Sequence, residues 1–368
     1  MGLPRRRWRP LLVWLALLCG AAQVHAADLA DCAQRAGAGC LRAFDLPGNA
    51  GRMHYYLSRA PDGTSAPRTA LLILHGHPRD AEHSFDAGLQ AARTAGQLAH
   101  TLVVAPLYQV PADRAGACST PGTPAAQPGD ALWTCAGWLA GERSLGPHPI
   151  GAFSALDALL VELARQWPSL RSVTLVGFSA GAQMLQHSIA FAAEPPTGLA
   201  LRYVIADPGS WLYFDPVRPS PQRAGQPVPW HSCDEGGCNW AFSTPPSSAP
   251  CAGFDDWKYG TRSLPAHLTR DATQARARYA AAQVDYLEGA LDSSAQKGAF
   301  YPILDKSCAA MLQGPFRLQR GLAYAAYDNA VLKSQRPRRM VVVPGCAHEV
   351  ACVIASPAAQ PLLFPQRP

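Results

Sequence analysis

Ser179 stands in Gly177-Phe-Ser-Ala-Gly181, between the apolar run Ser172–Val176 and the helical pattern Ala182–Phe191. An apolar strand running into Gly-x-Ser-x-Gly and straight on into a helix reads as a nucleophile elbow. A serine on so sharp a turn needs neighbours without bulk two residues to either side, which Gly177 and Gly181 supply. The chemistry this predicts is nucleophilic. A serine hydroxyl is a poor nucleophile at neutral pH, so it needs a base to take its proton and an acid to orient that base.

The base and the acid of an elbow serine follow it in the chain, at the ends of later strands. His348 answers for the base, in Met340-Val-Val-Val-Pro-Gly-Cys-Ala-His348, a strand-to-loop junction near the chain end; His187, His231 and His267 fall in a helix, an insertion and a helix start. For the acid, Asp207, Asp292 and Asp305 all follow the serine, and Asp292 is placed best, after Val284–Leu291, a strand with a Gly turn. Glu288 reads as an ordinary strand-end carboxylate. A tetrahedral intermediate requires two N–H donors. Ala180, directly after the nucleophile, is one, and His77 in Leu71-Leu-Ile-Leu-His-Gly-His77 is the other, with Gly76 allowing the turn. Reading His75 and His77 as a metal pair leaves the metal without a third ligand. Trp211 and Tyr259 are the aromatic candidates for facing a substrate, whereas Trp230, Trp240 and Trp257 are expected to pack a small subdomain.

The elements that must position these residues form one alternating series in a chain of 368 residues. Strands are expected at Thr69–His75, Thr101–Pro106, Ser172–Gly177, Tyr203–Ala206, Gln283–Leu287 and Met340–Pro344, and their near-continuous Val/Leu/Ile content suits a parallel sheet buried on both faces. Helical spacing marks Ala81–Ala99, Ile150–Trp167, Ala180–Ala193 and Leu268–Ala282, and Leu41–Arg59 reads as a leading hairpin around Pro47–Gly51. Residues 1–26 read as a secretory signal, with Arg5, Arg6, Arg7 and Arg9, an apolar run from Leu11 to Ala22 and Val24-His25-Ala26 for cleavage. Residues 27–368 are then a single α/β domain with insertions at 108–148 and 212–263, rich in Pro, Gly, Cys and Trp.

Removing that leader takes the formal charge from +6 to +2, because four Arg and no acid leave with it. No basic run with interleaved aromatics remains, which leaves nucleic-acid binding without support, and no later segment is long and apolar enough for a membrane anchor. Ten Cys beyond Cys19 suit an exported, disulfide-bonded chain, secreted or periplasmic. Short spacings favour Cys32–Cys40, Cys118–Cys135, Cys233–Cys238 and Cys346–Cys352, leaving Cys251 with Cys308. Zinc at Cys233 and Cys238 would lack a second ligand pair.

With elbow, His-Gly loop and late His in this order, the chain resembles the α/β-hydrolase superfamily from about Thr69 to Ala358. More narrowly, Tyr203–Pro216, Cys251–Gly260 and Ser307–Gly321 are similar to an exported subgroup related to polyhydroxybutyrate depolymerases and feruloyl esterases. The resemblance implies a mostly parallel central sheet flanked by helices, with a disulfide-stapled, lid-like insertion. In that subgroup the acid follows Tyr-Leu-x-Gly-x-x-Asp, which Tyr286–Asp292 matches, and the position of Asp207 commonly carries Asn. Phe178 and Glu349 stand where the common forms have the elbow His and the Asp after the late His. The expected activity is hydrolysis of a small or polymeric carboxylic ester without a cofactor. The alternatives are an amidase or peptidase with the same triad, and a non-catalytic binding protein on this fold.

Overall fold

The computed structural model describes residues 31–61, 66–234, 236–246 and 251–365, besides Gly2. The proposed leader 1–26 thus lies outside the described residues, apart from Gly2. Two antiparallel strands open the chain, β1 (Leu41–Asp45) and β2 (Arg52–Leu57), turning at Pro47–Asn49 as the Pro/Gly-rich segment predicts. There follow β3 (Thr69–Leu74), α1 (Ala81–Thr94), β4 (Thr101–Leu107), α2 (Ala152–Gln166), β5 (Ser172–Phe178), α3 (Ala180–Phe191) and β6 (Ala200–Ala206). The insertion then folds β7 (Arg218–Arg223), β8 (Gln226–Pro227) and β9 (Asn239–Ser243) into a small antiparallel sheet of its own. The series ends with α4 (Ala272–Ala281), β10 (Val284–Gly289), α5 (Cys308–Met311), α6 (Arg317–Tyr327), β11 (Met340–Val343), α7 (Val350–Ile354) and α8 (Gln360–Leu363).

The main sheet has eight strands in the order β1-β2-β4-β3-β5-β6-β10-β11, and every pairing from β4 to β11 is parallel. Residues alternate between its two faces. Leu71 and Ile73 of β3 pack with Ala87 and Ala91 of α1 and with Val353 and Ile354 of α7. Leu72 and Leu74 face the other layer, with Leu159 of α2, Leu185 of α3 and Tyr324 of α6. All seven residues of β4 are buried, which explains why that strand reads as an unbroken apolar run rather than an alternation. Parallel strands coming forward together end on one edge, where β5, β6, β10 and β11 release the loops that carry Ser179, Asp207, Asp292 and His348.

The first insertion has little regular structure but a core role, since Trp138 stacks on Tyr108 with ring centres 5.4 Å apart and Trp133 meets the same ring edge-on at 5.2 Å. The five expected cysteine pairs are all at bonding distance. No helix among the described residues is long and apolar enough to cross a membrane.

Candidate active site

Ser179 has φ 58° and ψ −120°, a conformation few L-residues adopt, at the junction of β5 and α3. The chain tolerates it because the flanking positions are empty. A Cβ on Gly177 would stand 2.3 Å from Gly181 O, and one on Gly181 would stand 2.4 Å from His75 O. Strain of this kind persists where packing over-determines it, and here the Ser179 N–H donates to Ala206 O of the neighbouring strand at 3.0 Å.

Ser179 Oγ lies 2.8 Å from His348 Nε2, and His348 Nδ1 lies 2.7 Å from Asp292 Oδ2. All three side chains are buried. Burial and the Arg317 charge hold the His348 imidazolium below its ordinary range, against the opposing pull of Asp292. A neutral imidazole is therefore available as proton acceptor at neutral pH. Phe178 stacks on the imidazole with ring centres 4.7 Å apart, and Phe300 meets it edge-on at 6.1 Å.

The His-Gly loop comes against the nucleophile, for a Cβ on Gly76 would stand 3.6 Å from Ser179 Cβ. Three contacts fix its peptide planes. His75 Nδ1 donates to Gly76 O at 2.8 Å, its Nε2 accepts the Tyr108 N–H at 3.2 Å, and Arg79 N–H also reaches Gly76 O at 3.1 Å. With the Gly76 carbonyl held on that side, the trans peptide turns the His77 N–H the opposite way. Burial pushes the His75 imidazolium down to about 4, consistent with the neutral tautomer those contacts require. Its Nε2 is occupied, so the metal-pair reading of His75 and His77 has no support in the geometry. Ala180 begins α3, where the first amides have no acceptor within the helix.

No protein-family model and no curated protein matches the chain. Among solved structures it is similar to poly(aspartic acid) hydrolase-1 from Sphingomonas sp. KT-1, with a TM-score of 0.56 and 18% identity over 88% of this chain and 98% of that one. It is also similar to the poly(3-hydroxybutyrate) depolymerase LpqC from Bordetella parapertussis, with a TM-score of 0.50 and 17% identity over 88% of this chain and 90% of that one. The chain has the α/β-hydrolase fold.

On this α/β-hydrolase fold, a cleft of about 370 Å³ opens at Ser179, lined by Asp80, Phe178, Phe300, Ile303, His348 and Val350 among others. One aromatic expectation needs correction. Trp211 has no exposed surface, because its ring stacks on Tyr324 at 4.3 Å and its backbone is gripped by Gln313; it is a core residue and cannot face a substrate. Tyr259 is half-buried, with its hydroxyl bonded to Asp305 Oδ2 at 2.6 Å and to Ser307 Oγ at 3.0 Å, and it is not among the residues that line the Ser179 cleft. None of the described residues of the insertion 212–263 is in that lining. Its Phe242 packs on Tyr327 of α6, and the mouth of the cleft is instead bordered by Phe300 and Ile303 of the loop after Asp292, both more than half exposed.

The sequence reading left three residues without a role that the structure brings to the site. Arg79 is buried behind the His-Gly loop, where it bonds Cys118 O, Tyr108 O and Gln109 Oε1. Arg317 reaches Asp292 Oδ1 at 3.2 Å, and Phe300 borders the imidazole. An arginine that bonds mainly to carbonyls leaves no local pattern, so only the fold reveals these partners.

Proposed function

We propose that this protein is a serine hydrolase that cleaves carboxylic esters through an acyl-enzyme. Ser179 Oγ attacks the ester carbonyl carbon while His348 Nε2 takes the hydroxyl proton, Asp292 fixes the imidazole, and the N–H groups of Ala180 and His77 receive the oxyanion. Collapse breaks the bond to the alcohol oxygen, which leaves with the proton from His348. A water molecule repeats the sequence in reverse to release the acid and restore Ser179. The observation that carries the reading is the continuous line of contacts at 2.8 Å and 2.7 Å from Ser179 through His348 to Asp292, on an elbow that only this glycine setting permits. The names of the two solved neighbours are both those of polymer hydrolases; poly(3-hydroxybutyrate) is joined by esters, as this reading requires, and poly(aspartic acid) by amides, which is why the test includes an amide.

The cleft favours an uncharged, apolar acyl group. Phe178, Phe300, Ile303 and Val350 supply apolar walls, Asp80, Asp86 and Glu349 supply carboxylates, and no Lys or Arg among the described residues lines it. An acyl chain carrying its own carboxylate would enter an environment that repels it. The ten paired cysteines support an oxidising, exported location for the mature chain. The test is hydrolysis of matched butyrate and succinate half-esters and of the butyrate amide. Ester turnover is expected to exceed amide turnover, with the neutral acyl group preferred by at least about tenfold, equivalent to roughly 1.4 kcal/mol. Faster turnover of the succinate half-ester would overturn the acyl assignment, and faster turnover of the amide the ester assignment.

A further inference from the structure

Asp207, after β6, and Glu288, in β10, take no part in those steps, yet both are fully buried beside Asp292. Asp207 Oδ1 accepts the Gly289 N–H at 2.8 Å. Its Oδ2 and both Glu288 oxygens meet no donor among the described residues. The backbone of α6 is pressed onto Glu288 so closely that a Cβ on Gly321 would stand 2.1 Å from Glu288 Oε1. A buried carboxylate without donors costs several kcal/mol, whereas two carboxylic acids that share a hydrogen bond escape most of that cost. Burial, reinforced by the charge of Asp292, pushes Asp207 up to about 7, and burial beside Asp207 pushes Glu288 well above the usual carboxylate range.

The guanidinium that reaches this cluster belongs to Arg317 of α6. It is itself buried, with Nη1 3.2 Å from Asp292 Oδ1 and 2.7 Å from Ala299 O. The next residue, Leu318, donates its N–H to Asp292 O at 3.1 Å, so side chain and main chain of the acid are tied to the same helix turn. The second oxygen, Oδ2, faces His348. Asp80 at the start of α1 is the other carboxylate whose charge acts on that imidazole. Arg317 and Gly321 both lie in Ser307–Gly321, a segment whose sequence carries the family resemblance but no assigned chemistry.

We propose that Arg317 is a positioning residue: it holds Asp292 Oδ1 and so turns Oδ2 to His348, while Asp207 and Glu288, buried beside it with no cation of their own among the described residues, share a proton. The kinetic side of this rests on the serine-hydrolase reading; the charge assignment does not.

Kinetics and infrared spectroscopy on the whole chain test it. Arg317→Gln lowers kcat about 100-fold, short of the roughly 10⁴-fold loss that follows disabling an orienting acid, with KM within about twofold. The acid limb of its pH–rate profile moves to higher pH, because the guanidinium no longer opposes the imidazolium. Arg317→Lys keeps the charge and restores the limb and part of kcat. A kcat within threefold of wild type and an unmoved limb in Arg317→Gln overturn the proposal. If that variant does not fold, the wild-type chain decides. At about pH 8, where ordinary carboxyl groups are ionised, it shows a carboxylic-acid carbonyl absorption that Glu288→Gln weakens, and the lack of that absorption overturns the proposal. Absence of ester hydrolysis in the wild type counts against the serine-hydrolase reading, and the infrared result then decides this one.

Discussion

At the scale of single residues, the choice of acid turns on which oxygen meets His348 and which carboxyl keeps its charge. Asp292 Oδ2 is 2.7 Å from His348 Nδ1, while Asp207 spends Oδ1 on Gly289 N–H and Asp305 spends its oxygens on Tyr259 and Ser307. Asp292→Asn is therefore expected to lower kcat on the order of 10⁴-fold, since an amide no longer fixes the Nδ1–H tautomer or stabilises the imidazolium. Asp207→Asn keeps an acceptor for Gly289 N–H and resembles the protonated acid, so it costs less than about tenfold. Steady-state kinetics on one ester with both variants checks the pair, and the reverse ranking would move the acid to Asp207. Ser179, Asp292 and His348 were legible in the sequence because each sits where a strand pattern stops. Trp211 was misread, since an aromatic next to an insertion looks the same whether it faces solvent or Tyr324.

At the scale of elements, the elbow works only if α3 can begin directly under the His-Gly loop. Gly181 is the contact point, where a Cβ would stand 2.4 Å from His75 O and 2.6 Å from Leu74 O, both backbone atoms that cannot step aside alone. Gly181→Ala is expected to destabilise the fold by about 1–3 kcal/mol, the usual cost of overpacking, and to lower turnover further by shifting the Ala180 N–H. Urea unfolding measures the first effect, and an unchanged midpoint would show that the loop is not packed as described. The parallel strands and the three long helices α1, α2 and α3 could be read from periodicity, as could the hairpin. Two elements could not. β7 carries Pro219 and Pro221 as the central strand of its small sheet, and proline argues against a strand in any reading from sequence. The helix α6 is rich in good helix formers, but Gly321 interrupts it mid-way and the buried Arg317, Gln319 and Arg320 blur its inward face, so the segment reads as an uncertain helix from sequence.

At the scale of the whole molecule, one sheet edge gathers loops from four strands, and separate fastenings keep them in place. Cys346–Cys352 closes the segment that carries His348, and Cys251–Cys308 joins the end of the second insertion to α5 across 57 residues. By loop-closure entropy a link of that span is worth about 4 kcal/mol. Four of the pairs followed from short spacing, and Cys251–Cys308 was left by elimination, so the disulfide framework was legible without knowledge of the fold. The wall of the cleft was not legible, because Phe300 and Ile303 reach it from a loop with no periodicity. Everything converges on one claim, that Ser179 is a nucleophile activated by His348, which Asp292 holds in place. Labelling of the purified protein with a fluorophosphonate, followed by peptide mass spectrometry, tests it most directly. The expected result is one equivalent of phosphonate on Ser179, at a rate that falls as pH drops through the depressed imidazolium range of His348 and is lost in His348→Ala. A chain that stays unlabelled, or that carries the label elsewhere with Ser179 untouched, would contradict the account.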